Sequence, residues 1–148
     1  MKRLYVAYGS NLNLEQMKYR CPTARIYGKG EIKDYELFFK GLDGGAVLTI
    51  EPCKDSFVPV AIWEIKKEDE KALDRYEGYP NVYYKEDIEV ELETGETITA
   101  MAYIMGAKVG YNEPSWQYYE AVVEGYHNFD FDITYLEKAI SSSLKRKN

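Results

Sequence analysis

Apolar and polar positions along this chain follow first a strand period, then a helix period, and the switches mark its elements. Leu4-Tyr5-Val6-Ala7-Tyr8 is short, β-branched and aromatic, and predicts a buried strand ended by Gly9. A helix is expected almost at once, with Asn13 as its cap, Gln16 completing a capping box, and Leu14, Met17 and Cys21 on one face. Beyond Pro22, residues 24–32 and 35–40 predict two strands broken near Lys33-Asp34. The run Gly41-Leu42-Asp43-Gly44-Gly45 reads as a flexible turn able to lie near a site. Residues 46–50 and 58–65 predict two strands buried on both faces, with Pro52 and Pro59 bracketing the loop between them.

The period then changes. Over 66–77, Leu73 and Tyr76 fall three apart among charges, which predicts a short amphipathic helix; Gly78 stands where a C-terminal cap belongs and Pro80 blocks continuation. From Tyr84 the alternation is clean, with Ile88, Val90 and Leu92 on one side and Asp87, Glu89, Glu91 and Glu93 on the other. This is an antiparallel strand with one wet face. Thr94-Gly95 turns it into a returning strand whose Ile98, Ala100, Ala102 and Ile104 point one way. A loop through Gly106 and Gly110 leads to Ser115, the expected cap of a helix reaching about to Gly125. Asp132 is the expected cap of a last helix striped by Ile133, Leu136, Ile140 and Leu144.

Six or so strands with helices at both ends and one in the middle define an α+β chain. The expected architecture is a small mixed, mostly antiparallel curved sheet or open barrel with flanking helices. No repeat, low-complexity linker or boundary divides it, so 1–148 reads as one domain.

Composition narrows the function classes. The formal net charge of −6 argues against nucleic acid as the main partner, because phosphate binding needs a basic footprint. The basic run Lys145-Arg146-Lys147 reads as a solvated tail. The run of five apolar or aromatic residues before Gly9, Leu4 to Tyr8, is too short for a signal-peptide core or a membrane span, so the expectation is a soluble, cytoplasmic protein with no membrane partner. Cys21 and Cys53 form no Cys-x-x-Cys pair and His127 is the one histidine, so neither a disulfide framework nor a zinc site is expected. The 15 tyrosines are scattered and read as packing at core and rim.

Two stretches carry candidate chemistry. In Tyr8-Gly9-Ser10-Asn11-Leu12 a strand runs through a tight turn into a helix N-terminus, which aims backbone N–H groups and the positive end of a helix dipole one way. That is an anion or oxyanion site in outline, or else an ordinary turn of turn-forming residues. The stretch lacks the glycine spacing and lysine of a P-loop and the flanking glycines of a nucleophile elbow. In Leu73-Asp74-Arg75-Tyr76-Glu77-Gly78-Tyr79-Pro80, Glu77 ends a helix among aromatics, beside the negative pole of the dipole. Both effects raise a carboxylate pKa toward the range of a base working near neutrality; the plain alternative is an exposed terminal Glu.

These residues, in this order, resemble the gamma-glutamylcyclotransferase-like family. The matching pieces are Tyr8 to Leu12, Arg20-Cys21-Pro22, Asp34-Tyr35 with Phe38, and Ala61-Ile62-Trp63. They continue through Leu73 to Pro80, Ala100-Met101-Ala102-Tyr103, Pro114-Ser115 with Tyr118, and Gly125-Tyr126. The resemblance implies a small mixed barrel with a cavity where the first turn faces the carboxylate of the central helix. It implies cyclisation of a γ-glutamyl group to 5-oxoproline with release of an amine or amino acid. By motif position, Glu77 takes the place of the catalytic acid/base. Tyr8, Gly9, Ser10, Asn11 and Leu12 take that of the substrate-binding loop, and Tyr118, adjacent to Tyr119, that of a cavity tyrosine. The implied partner is a small γ-glutamyl molecule, with no cofactor and no metal.

Two departures bear on the pocket. Val60 stands where many relatives place glycine, and His127-Asn128-Phe129-Asp130 replaces a glycine-containing turn. Two rival readings stay open: a non-catalytic module binding an acidic metabolite on the same fold, and a hydrolase using Ser10 or Cys21 with His127. The leaving amine and the oligomeric state are left open by the sequence.

Overall fold

In the computed structural model, residues 2–147 are described. The chain order is β1 (Arg3–Ala7), a 3-10 turn (Ser10–Leu12), α1 (Leu14–Arg20), β2 (Arg25–Lys40), β3 (Val47–Ile65) and α2 (Lys67–Glu77). It continues with β4 (Tyr83–Leu92), β5 (Thr97–Met105), α3 (Trp116–Asn128) and α4 (Thr134–Arg146). The five strands close into a barrel in the order β1-β3-β2-β4-β5. β5 meets β1 in parallel through Tyr5 and Met101, and the other pairs are antiparallel.

The α+β barrel with flanking helices matches the expected class, but it is closed, and the strand count is lower than expected. The predicted break at Lys33-Asp34 and the predicted loop between Pro52 and Pro59 are the two sides of one irregularity in a single long hairpin. The register jumps from Lys33 opposite Phe57 to Tyr35 opposite Pro52. Asp34 and Asp55 both adopt positive φ, 64° and 67°, and the Asp55 N–H donates to Asp34 Oδ1 at 2.9 Å. The ladder resumes on either side, so β2 and β3 bend without ending. Near the first half of the hairpin, Gly30 and Glu31 pair with Leu92 and Glu91. That pairing carries the β4–β5 hairpin round to β1 and removes the open edge.

β4 has the predicted wet face, with Ile88, Val90 and Leu92 buried. β5 differs: from Ala100 to Met105 every residue is buried, because the strand lies in the closing seam beside β1 and is covered on both sides. The core stripe of α4 is Leu136, Ala139 and Ser143, while Leu144 is 40% exposed. Ser143 belongs to the packed face because its hydroxyl accepts the Phe39 N–H at 2.8 Å and donates to the Ala139 carbonyl at 2.7 Å. α3 runs past the expected stop at Gly125 to Asn128. Among the described residues no helix is long and apolar enough to cross a membrane.

Candidate active site

The site forms where the end of β1 meets the C-terminus of α2. After Tyr8, the Leu12 and Asn13 amides donate to the Gly9 and Ser10 carbonyls, both at 3.0 Å, winding a 3-10 turn. Asn13 then caps α1 as expected, accepting the Gln16 N–H at 3.0 Å. The Gln16 side chain faces Arg20 instead of completing a box, and Leu14 sits on the outer side, 36% exposed, while Met17 and Cys21 are buried. The fan of turn amides is thus narrower than expected, since those of Leu12 and Asn13 are spent inside the turn. α3 clamps the turn from behind: Asn13 Nδ2 donates to the Ala121 carbonyl and the Leu14 N–H to Asn128 Oδ1, each at 3.0 Å. This explains Gly125, which is no cap. A Cβ there would lie 2.7 Å from the Asn13 nitrogen, so only glycine lets the helix and turn touch.

α2 is held at both ends. Asp69 accepts the Lys66 N–H at 2.9 Å and the Thr23 hydroxyl at 2.7 Å, and Leu73 is buried in the core. Gly78 takes the left-handed conformation, φ 68°, the Tyr79 N–H closes onto the Asp74 carbonyl at 2.9 Å, and the helix stops at Glu77. Asp74 is fixed by the Tyr103 hydroxyl at 2.6 Å and by Lys85 at 3.0 Å.

Between the turn and α2 lies a cavity of about 380 Å³, within the size range of small-molecule pockets. Tyr8, Gly9, Ser10, Asn11, Glu77 and Tyr118 all line it. Leu12 does not: it is fully buried and packs toward Gly125, a core residue and not a contact for a bound molecule. Tyr118 faces the cavity, its hydroxyl accepting the Leu48 N–H at 3.1 Å. The neighbouring Tyr119 turns its ring to Phe39, 6.2 Å away. The glycine-rich turn at 41–45 lies apart from the cavity and docks on the loop before α3 through Gly41 and Gly110.

Burial pushes the Glu77 carboxyl up to about 7, with the Arg20 charge opposing. Burial also holds the hydroxyls of Tyr5, Tyr8, Tyr83 and Tyr118 above the ordinary tyrosine range. These tyrosines therefore stay neutral around one titratable acid. The arrangement suits proton transfer near neutral pH next to a set of polar anchors.

Sequence reasoning missed several members of this site. Six of the 15 tyrosines line the cavity, so scattered packing is not their whole role. The Tyr83 hydroxyl donates to the Leu48 carbonyl at 2.7 Å and the Tyr8 hydroxyl to the Tyr103 carbonyl. Ser10 Oγ pairs with the Tyr76 hydroxyl at 2.7 Å. Arg20 was visible only as part of the Arg-Cys-Pro piece. Of the hydrolase alternative's two nucleophiles, Cys21 is buried against the Asp69 carbonyl with its thiol pushed up to about 11 by burial, and the Ser10 hydroxyl pairs with Tyr76. His127 is exposed on α3 and does not line the cavity. Among the described residues no group of three or more His, Cys, Asp or Glu is placed to hold a metal ion.

At its mouth the closed α+β barrel sets a strand-to-turn segment against a helix-end carboxylate. The chain belongs to the family described as Gamma-glutamyl cyclotransferase, AIG2-like, whose model matches residues 5–130. It is 29% identical to the Homo sapiens protein named Gamma-glutamylcyclotransferase over 145 residues, covering 91% of this chain and 76% of that one. The Mus musculus protein of the same name is 30% identical over the same shares. A solved structure titled Gamma-glutamyl cyclotransferase superposes with a TM-score of 0.84 at 27% identity, covering 94% of this chain and 86% of that one.

Proposed function

We propose that this chain is a γ-glutamyl cyclotransferase with Glu77 as its single acid/base. The observation that carries the reading is the half-buried Glu77, its carboxyl raised to about 7, facing Gly9, Ser10 and Asn11 across one small cavity. An α-ammonium group is a poor nucleophile until a base takes its proton. Glu77 accepts that proton, and the freed amine attacks the γ-carbonyl carbon of the same glutamyl group. The new C–N bond closes the five-membered ring, the old amide C–N bond breaks as Glu77 returns the proton to the departing nitrogen, and the ring nitrogen gives up its remaining extra proton, which the released amine takes as it leaves as an ammonium. General acid–base help of this kind is worth ~10²–10⁴ in rate, and ring closure from a folded glutamyl chain adds the gain of proximity.

Tyr8 and the Gly9 to Asn11 turn hold the glutamyl end, and the Tyr118 hydroxyl completes the wall. Arg75 is exposed at the rim and, with Glu77, is one of two charged residues on the lining. It matches a leaving group that carries its own carboxylate, so the substrate class is a free γ-glutamyl amino acid. The test is 5-oxoproline release from a panel of γ-glutamyl amino acids and γ-glutamyl amines, with wild type and Glu77→Gln side by side. Release by wild type alone supports the reaction and its base. A folded wild type that binds such compounds and returns them unchanged makes the chain a binding module.

A further inference from the structure

We propose that Arg20 is the positioning residue of this site, holding the substrate-binding turn and the catalytic helix end in register and keeping a fixed positive charge toward Glu77. The proposal rests on the reading of Glu77 as acid/base. Arg20 is the last residue of α1, and its guanidinium reaches three elements. It donates to Asn11 Oδ1 in the turn, reaches Gln16 Oε1 at 3.5 Å on its own helix, and stacks 3.5 Å over the Tyr76 ring on α2. The planar fork makes all three contacts at once, which an ammonium group cannot do.

Each contact acts on a part that the reaction uses. The Asn11 carboxamide is held at both ends, its oxygen by Arg20 and its nitrogen donating to the Tyr5 hydroxyl at 2.8 Å, so the turn cannot swing toward or away from the cavity. Tyr76 is held by its ring under Arg20 and by its hydroxyl on Ser10, and Glu77 is the next residue. The groups facing Glu77 are the neutral hydroxyls of Tyr5 and Tyr8 from β1 and its end, Tyr83 from β4 and Tyr118 from α3, while the Tyr103 hydroxyl is turned to Asp74. Arg75 and Tyr76 lie on its own helix. Arg20 is the cation whose field opposes the burial of Glu77.

The test uses the whole chain with ¹³C-labelled glutamate side chains. The Glu77 signal is assigned by its loss in Glu77→Gln, and titrated in wild type, Arg20→Gln and Arg20→Lys. Arg20→Gln should move the Glu77 midpoint up by about one pH unit, the size expected when an opposite charge at close range is removed. At pH 7 the acid limb of kcat/KM should move with it. Arg20→Lys keeps the charge and loses the fork, so its midpoint should stay near wild type while KM rises about three- to tenfold as Asn11 is released. An unmoved Glu77 midpoint in Arg20→Gln overturns the electrostatic role. If Arg20→Gln does not fold, an unchanged KM in Arg20→Lys overturns the positioning role. The titration reports on Arg20 even if no substrate turns over, so failure of the proposed reaction and failure of this proposal give different results.

Discussion

The hydroxyls of Ser10 and Tyr76 lie 2.7 Å apart, a contact that spans 66 residues of chain and joins the turn after β1 to the last turn of α2. It fixes the distance between the residues proposed to hold the glutamyl group and the adjacent Glu77. Tyr76→Phe keeps the ring under Arg20 and removes this bond. We expect a stability loss of about 0.5–1.5 kcal/mol and a raised KM with a smaller change in kcat, measured by chemical denaturation and steady-state kinetics. Unchanged KM would show that the turn is held without it.

Glu77 is a stability cost at the pH where it would work. Its folded pKa of about 7 lies above the ordinary 4.5, so between these values the folded state binds more protons than the unfolded one. Stability from this group is therefore full below pH 4.5 and is lost as pH rises through 7. The cost of the ionised form reaches about 3 kcal/mol, on the scale of about 1.4 kcal/mol per pKa unit. Glu77→Gln should match wild type in melting temperature near pH 4.5 and exceed it increasingly toward pH 8. A constant difference across that range would place the carboxylate in water.

The same ionisation sets the rate profile. With Glu77 as base, wild-type kcat/KM should rise about tenfold per pH unit below 7 and level above it, and Glu77→Gln should lose at least ~10² in kcat on that plateau. A profile with its midpoint near 4.5 would assign the proton transfer to a different group or to an unburied Glu77.

Gly9 leaves little room for a side chain. A Cβ there would stand 3.0 Å from the Tyr118 hydroxyl and 3.5 Å from Leu48 Cβ. Gly9→Val must displace Tyr118, which breaks its bond to the Leu48 N–H and leaves a buried donor unpaired at about 1–3 kcal/mol. Lower thermal stability and a loss of substrate binding by calorimetry are expected together. Wild-type values for both would mean the turn tolerates a wider approach.

Arg75 offers a specificity test. Arg75→Gln should raise KM for a γ-glutamyl amino acid by about tenfold, the value of one charge-assisted hydrogen bond, while leaving a γ-glutamyl alkylamine unaffected. Equal losses on both would move Arg75 to the glutamyl end of the substrate.

The sequence by itself determined the parts of this protein that depend on neighbours in the chain. Alternation marked β4 because its charged face is wet, Ser115 marked the start of α3 because its hydroxyl accepts the Tyr118 N–H at 3.1 Å, and Gly78 marked the end of α2 because the chain turns left-handed there. Family order among Tyr8 to Asn11, Glu77 and Tyr118 named residues that do share one cavity. Tertiary structure decided the rest. The hairpin of β2 and β3 runs on past the irregularity at Asp34 and Asp55, and two aspartates give no local sign that the ladder resumes beyond them. Leu12 reads like its neighbours in the turn, yet Gly125, more than a hundred residues later, draws it into the core. The pKa of Glu77, the clamp of Arg20 and the convergence of six tyrosines come from strands and helices far apart in sequence. Such contacts depend on which elements the barrel brings together, because burial and Coulomb fields are set by distance in space and not along the chain.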